Sequence, residues 1–137
     1  MLEPHRPITI AIDGFSACGK STLAKSLALA MHYVYIDSGA MYRAITWYCI
    51  QLGIKASELM KVEKALNEID LRFAIHNGQN SVLVDGRVLD LELRSLVVNE
   101  QVSYFAEIPF ARRKLVSLQQ SLGSKGGVVM DGRDIAT

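Results

Sequence analysis

The chain has 137 residues, of which 50% are hydrophobic and 21% are charged, and its 15 basic and 14 acidic residues leave a net charge of +1. This composition suits one globular domain and argues against a nucleic-acid partner, which would favour a basic excess. No apolar segment approaches the roughly 18 residues that cross a bilayer, and the two cysteines imply no disulfide framework. Because residues 1–5 lack the apolar core of a signal peptide, we expect a cytosolic protein with no membrane partner.

Strands and helices alternate at both ends of the chain. In chain order we predict a strand at 8–12, a helix at 21–31, a strand at 34–36, a helix at about 40–52, a helix capped by Ser57, an antiparallel meander at 70–90, a helix at about 93–106, a helix from Pro109 to a cap at Gly123 and a strand at 127–131. The helix at 21–31 is apolar over a wide arc, so we expect it to be well buried. The alternation predicts an α/β fold with a parallel sheet, and the meander would be inserted over the carboxyl edge of that sheet.

Residues 14–21 read Gly-Phe-Ser-Ala-Cys-Gly-Lys-Ser, which matches the phosphate-binding pattern G-x-x-x-x-G-K-[ST] at every defined position. The loop lies between a predicted strand and a predicted helix, where free backbone N–H groups and the helix dipole favour anions. Lys20 would reach the β- and γ-phosphates of a nucleotide, and Ser21 would bind Mg²⁺. A chance match in a glycine turn is the alternative, and the flanking elements disfavour it. We expect Cys18, near this helix N-terminus, to react faster than Cys49.

A second polar segment, Asp-Ser-Gly-Ala-Met-Tyr-Arg at 37–43, follows the second predicted strand. Ser38 is either a simple helix N-cap or a ligand-binding hydroxyl at the active edge. Arg43 is either a solvated helix residue or a bidentate clamp on a phosphate group.

A third polar segment, Asp-Gly-Arg-Asp at 131–134, follows the last predicted strand. Asp131 occupies the usual place of an acidic residue that acts on Mg²⁺ directly or through water. Arg133 would pair with a phosphate, and Asp134 would accept a hydrogen bond from an exocyclic amine or a sugar hydroxyl. Taken alone, the segment would be read as an Arg–Asp turn without a ligand. Beside the other two segments, ligand binding is the better interpretation.

The three segments, in this order, resemble the bacterial cytidylate kinases, which are P-loop nucleoside monophosphate kinases. The resemblance covers nearly the whole chain and implies transfer of the γ-phosphate of ATP, with Mg²⁺, to CMP or dCMP. It implies a P-loop core at 1–57 and 107–137, and a monophosphate-binding insertion at 58–106. The sequence departs from the family pattern at Cys18, where small residues are usual, and at Ala136, where glycine is common.

The resemblance also assigns site residues. It implies that Lys20, Asp131 and Arg133 take part in catalysis and that Ser21 and Asp131 hold the metal. The nucleotide cofactor would contact the phosphate loop and the start of its helix: Gly14, Ser16, Ala17, Cys18, Gly19, Lys20, Ser21 and Thr22. The monophosphate substrate would contact Ser38, Arg43, Ser103, Arg112, Arg133 and Asp134. Ser103 and Arg112 are matched by their spacing to Pro109, so they are alternatively ordinary helix residues.

Family members continue beyond the position of Thr137 with further strands, an arginine-bearing lid and a C-terminal helix. We therefore expect a truncated form with impaired turnover that self-associates through an exposed sheet edge or is only marginally stable alone. Two alternatives stay open at this point. One is another P-loop small-molecule kinase of the adenylate or shikimate type, and the other is a nucleotide-binding fragment without useful catalysis.

Overall fold

A computed structural model describes residues 8–13, 19–76, 79–124 and 126–132. The chain divides into two compact units, one formed by residues 1–38 and 117–137 and the other by residues 39–116. In the described parts of the chain, no helix is long and apolar enough to cross a membrane.

The first unit contains a three-stranded parallel sheet. Its strands are β1 (Thr9–Asp13), β2 (Val34–Asp37) and β6 (Val128–Gly132), and their order is β1-β6-β2. All three strands were predicted from short apolar runs, and the parallel pairing confirms the α/β class. Since β6 lies in the middle, its Asp131 is the register partner of Asp37 on β2. The sheet topology therefore brings the second and third polar segments of the sequence together.

Helix α1 (Lys20–Met31) packs on this sheet through its smallest side chains. Ala24 and Ala28 are buried in one cluster with Val129 of the central strand. Small side chains allow a helix backbone to approach a sheet closely, and burial is restricted to that face. The expectation that the whole helix is well buried is wrong, because Leu23 is 59% exposed.

Most of the remaining helices belong to the second unit. They are α2 (Ser38–Gln51), α3 (Leu59–Glu68), a short 3₁₀ helix (Leu91–Arg94), α4 (Leu96–Ala106) and α5 (Pro109–Gly123). Helix α2 starts at the last residue of the first segment of unit one, and α5 ends within unit one. Unit two therefore holds most of α2, which the sequence interpretation assigned to the P-loop core.

Two helix starts differ from the prediction. Helix α3 is preceded by Glu58 and not by Ser57 at the N-cap position. The Glu58 carboxylate accepts hydrogen bonds from the Lys61 ammonium at 2.8 Å and from the Lys55 backbone N–H at 3.0 Å, and these lower its pKa. Helix α4 starts later than predicted, because the Ser95 hydroxyl accepts from the Val98 N–H and caps it there.

The second unit also contains the predicted antiparallel meander. Strands β3 (Leu71–His76), β4 (Gln79–Val84) and β5 (Arg87–Leu89) pair in that order. The turn between β4 and β5 places Asp85 and Gly86 at φ values of 51° and 82°. Positive φ at both central residues is the signature of a two-residue hairpin turn, which the Asp-Gly pair predicted.

Candidate functional site

The carboxyl ends of β2 and β6 form the polar edge of the parallel sheet. Asp37 and Asp131 are register partners there, on strands that lie about 4.8 Å apart in any sheet. In open α/β sheets this edge is where ligands bind. Two carboxylates and the start of α2 therefore meet at the place where a ligand is expected.

Asp131 is 3% exposed, so its carboxylate needs hydrogen-bond donors within the protein. The Tyr35 hydroxyl donates to Asp131 Oδ2 at 2.7 Å. The Lys25 ammonium of α1 lies 5.5 Å from the centroid of the Tyr35 ring. These contacts form a connected row from α1 through β2 to the carboxylate on β6.

Ser38 is also buried, with 1% of its surface exposed. Its hydroxyl donates to the backbone carbonyl of Asp131 at 2.6 Å. This hydrogen bond ties the first residue of α2 to the end of the central strand. Simple capping of α2 does not account for this hydrogen bond. The Ser38 side chain instead connects the second polar segment to the third.

The start of α1 has the backbone features of an anion site. Gly19 has φ of 76°, and a Cβ built there would meet no atom within 4 Å. Glycine is therefore favoured at this position by backbone conformation, not by lack of space. The first turn of α1 contains no acidic residue, so nothing in it opposes the positive end of the helix dipole.

The other predicted cofactor contacts are only partly described. Lys20 and Ser21 lie in the first turn of α1, and Thr22 follows them with an exposed side chain. The side chains of Lys20 and Ser21 are not described. The remaining loop residues, Gly14, Ser16, Ala17 and Cys18, lie outside the described residues.

The predicted substrate-binding residues fall in several elements. Arg43 is half-buried on α2, Ser103 is exposed on α4, and Arg112 is exposed on α5. All three belong to the second compact unit. Arg133 and Asp134 lie outside the described residues. Among the predicted site residues, the structure thus brings Ser38 and Asp131 into direct contact, and the roles of all of them stay predictions.

The sequence profile of the cytidylate kinases matches residues 10–137 of this chain. The chain belongs to the cytidylate kinase family. It is 47% identical to a cytidylate kinase of Cytophaga hutchinsonii, with 96% of this chain and 57% of the relative covered. It is 45% identical to that of Parabacteroides distasonis and 44% identical to that of Bacteroides thetaiotaomicron, in both cases with 96% of this chain and 60% of the relative covered. The chain therefore spans less than two thirds of the length of these cytidylate kinases.

A magnesium ion, which the resemblance to cytidylate kinases implies, can be tested against the donors at the sheet edge. The described residues contain no cluster of three or more His, Cys, Asp and Glu side chains. Mg²⁺, however, is usually held by one or two carboxylates together with waters and substrate phosphates, and not by an all-protein cage. Asp131 and Asp37 supply the hard oxygen donors for such a site. The chemistry of the donor set therefore fits Mg²⁺ bound jointly with a nucleotide.

Sequence reasoning missed Tyr35. In the sequence it appears only as part of a short apolar run that predicts β2. The available signal was its hydroxyl, since a tyrosine inside a buried strand must find a hydrogen-bond partner. Tyr35 lies two residues before Asp37, the last residue of β2, so its side chain is close to the polar edge of the sheet.

The described cysteine, Cys49, is buried in α2. Burial raises the pKa of its thiol to about 11. Because the thiolate is the reactive form, Cys49 is inert near neutral pH. This supports one half of the predicted reactivity order, and Cys18 lies outside the described residues.

Proposed function

We propose that this chain provides the nucleotide-binding core of an enzyme that transfers the γ-phosphate of ATP to CMP or dCMP, giving CDP or dCDP. The observation that carries the proposal is the family match over residues 10–137, which includes the phosphate loop and the acidic end of β6. The hydrogen bond between Ser38 and the Asp131 carbonyl supports it, because it joins the beginnings of the second and third polar segments at one sheet edge.

In the proposed mechanism, the N-terminus of α1 and Lys20 hold the ATP phosphates. Ser21 and Asp131 would hold Mg²⁺, which supplies charge neutralisation to the phosphate oxygens. An oxygen of the CMP phosphate forms a bond to the γ-phosphorus. The bond from that phosphorus to the β–γ bridging oxygen breaks, and ADP leaves with the electron pair. The attacking oxygen is already ionised at neutral pH, so the chain needs no strong general base.

Recognition of CMP would use arginines for the phosphate and oxygen atoms for the base. Arg43, Arg112 and Arg133 would hold the monophosphate, with Ser103 and Asp134 near the nucleoside. The Ser38 hydroxyl gives its only proton to the Asp131 carbonyl, so toward a base it would act as an acceptor. Cytosine presents an amino donor where uracil presents a carbonyl acceptor. We therefore propose that Ser38 favours CMP over UMP.

The test is a nucleotide panel on the complete protein that carries this sequence. CMP and dCMP should be phosphorylated faster than AMP, GMP, UMP or shikimate, measured by coupled ADP release. Equal rates for AMP and CMP would refute the proposed specificity and favour another P-loop small-molecule kinase. CMP binding by calorimetry without ADP release would favour the second alternative, a nucleotide-binding protein without useful catalysis.

Substitutions separate the phosphate contacts from general charge effects. Arg43→Ala should weaken CMP binding by about 1.5–3 kcal/mol, the scale of a hydrogen bond to a charged group. Arg112→Ala should also weaken it, whereas Arg113→Ala, the adjacent exposed arginine on α5, should not. Equal effects of the Arg112 and Arg113 substitutions in calorimetry would contradict the assignment of Arg112.

For the 137-residue chain by itself, we propose slow turnover and self-association. Its relatives are longer, and it spans 57% to 60% of their length. Among the described residues, β1 pairs only with β6, and Ile8, the residue before β1, is 55% exposed. An unpaired strand edge is a template for pairing with another chain. Light scattering and ADP release test this proposal, and a monomer with the activity of a complete cytidylate kinase would refute it.

A further inference from the structure

We propose that Tyr35 is a positioning residue that fixes the orientation of the Asp131 carboxylate toward the metal-bound nucleotide. The inference rests on the proposed function, because it gives Asp131 its role at the metal. Tyr35 would act only through Asp131, without touching substrate or metal itself.

The sheet register explains how the tyrosine reaches the carboxylate. Tyr35 is the register partner of Val129, and Asp37 is the partner of Asp131. Tyr35 and Asp131 are therefore diagonal neighbours on adjacent parallel strands, two positions apart along the strand direction. Side chains at such positions share a face, and an aromatic side chain is long enough to span the diagonal. The resulting contact, Tyr35 Oη to Asp131 Oδ2, is 2.7 Å long.

This contact restricts the rotation of the Asp131 carboxylate. A carboxylate can rotate about its terminal torsion and exchange its two oxygens. A hydrogen bond to Oδ2 favours one orientation of the Asp131 carboxylate and so helps to set the direction of Oδ1. Because Mg²⁺ requires nearly ideal octahedral geometry, a fixed carboxylate lowers the cost of binding it. Hydrogen bonds to ligating carboxylates commonly affect metal affinity in this way.

The tyrosine ring is itself held from two sides. It packs against the buried cluster of Ala24, Ala28 and Val129. The Lys25 ammonium lies 5.5 Å from the ring centroid, within the range of a cation–π interaction. Lys25 belongs to α1, the helix whose first turn contains Lys20 and Ser21 of the phosphate-loop motif. The row from Lys25 through Tyr35 to Asp131 therefore links the phosphate-binding helix to the acidic strand end.

The test compares two tyrosines of the same unit in the complete protein. Tyr35→Phe removes only the hydroxyl and keeps the ring beneath Lys25. Tyr33→Phe is the matched control, because the Tyr33 hydroxyl accepts from the Ile8 N–H at 3.0 Å. Mn²⁺ binding to the protein–ATP complex, followed by electron paramagnetic resonance, should weaken about tenfold in Tyr35→Phe. It should be unchanged in Tyr33→Phe.

A second readout is the KM for Mg²⁺ in the kinase assay at saturating nucleotides. Tyr35→Phe should raise it about tenfold, while the affinity for metal-free ATP stays unchanged. A purely structural role would alter both. Equal behaviour of the two tyrosine variants in Mn²⁺ binding would overturn the inference.

Asp131→Asn distinguishes failure of this inference from failure of the proposed function. If Asp131→Asn weakens Mn²⁺ binding and Tyr35→Phe does not, only the role of Tyr35 is wrong. If Asp131→Asn leaves Mn²⁺ binding unchanged, the metal role of Asp131 and the inference fall together. In the double variant, Tyr35→Phe should add no further loss, because its effect passes through the carboxylate.

Discussion

The two sheets of this protein use polar side chains in opposite ways. At the parallel sheet, Asp131 on β6 and Ser38 at the start of α2 are buried, and the Ser38 hydroxyl donates to the backbone carbonyl of Asp131. In the antiparallel sheet of the second unit, the buried side chains are apolar, such as Val82 and Val84, and charges form exposed pairs, such as Arg72 with Asp70. Buried polar groups are expensive to maintain, whereas exposed ion pairs contribute little. The difference indicates that the parallel sheet keeps buried polar groups at its carboxyl edge, whereas the second unit is held mainly by apolar burial.

The largest expected loss of stability is therefore in the core of the second unit. Phe105 on α4 is 1% exposed, so Phe105→Ala should lower the free energy of unfolding by about 3–5 kcal/mol. The neighbouring Tyr104 is 59% exposed, and Tyr104→Ala should lower it by less than about 1 kcal/mol. Urea denaturation followed by circular dichroism measures both. Comparable losses of unfolding free energy in the two variants would mean that burial of Phe105 does not stabilise the second unit.

An intermediate effect is expected for the buried hydroxyl at the parallel sheet. Ser38→Ala removes the donor to the Asp131 carbonyl and should cost about 1–3 kcal/mol of unfolding free energy. Ser117→Ala, at an exposed position of α5, should be nearly neutral. Ser38→Ala should also reduce the preference for CMP over UMP. If Ser38→Ala keeps the wild-type stability and the wild-type preference for CMP over UMP, both proposed roles of Ser38 are wrong.

A smaller and pH-dependent effect is expected for Cys49. Its pKa is raised by burial to about 11, from a usual value of 9.0. Below about pH 9 both folded and unfolded states keep the proton. Between about pH 9 and 11 only the unfolded state loses it, so the free energy of unfolding falls as the pH rises through this window.

The measurement is the difference in unfolding free energy between the unaltered protein and Cys49→Ala at each pH. This subtraction matters because Tyr48, whose pKa is raised mainly by burial, contributes in the same direction. The difference should be constant up to about pH 9 and shrink above it. A difference that is flat to pH 11 would contradict the raised pKa. Alkylation of Cys49 should also remain slow at neutral pH.

The smallest effect is expected for an exposed ion pair of the second unit. Arg94 and Asp90 approach to 3.4 Å, but both side chains are more than two thirds exposed. Asp90→Asn should change the free energy of unfolding by less than about 0.5 kcal/mol, and added salt should reduce that change further because it screens exposed charges. A loss above about 1 kcal/mol in urea denaturation would mean that exposed ion pairs contribute substantially to the stability of the second unit.

Local sequence patterns determined most of the secondary structure of this protein. Apolar runs predicted β1, β2 and β6, the period of two predicted the meander, and the Asp-Gly pair predicted the turn at 85–86. The phosphate-loop motif and the two polar segments also determined the family, because they are contiguous in the chain. Apolar runs, turn pairs and short motifs each depend only on residues that are neighbours in the chain, so they can be identified from the sequence alone.

Tertiary structure decided which polar groups meet and which apolar groups are covered. Tyr35 and Asp131 are 96 residues apart, and only the placement of β6 beside β2 brings hydroxyl and carboxylate together. Likewise, the apolar arc of α1 did not reveal that its alanines, and not Leu23, would face the sheet. Both outcomes depend on strand order and helix rotation, which are set by packing between distant segments and leave no local trace in the sequence.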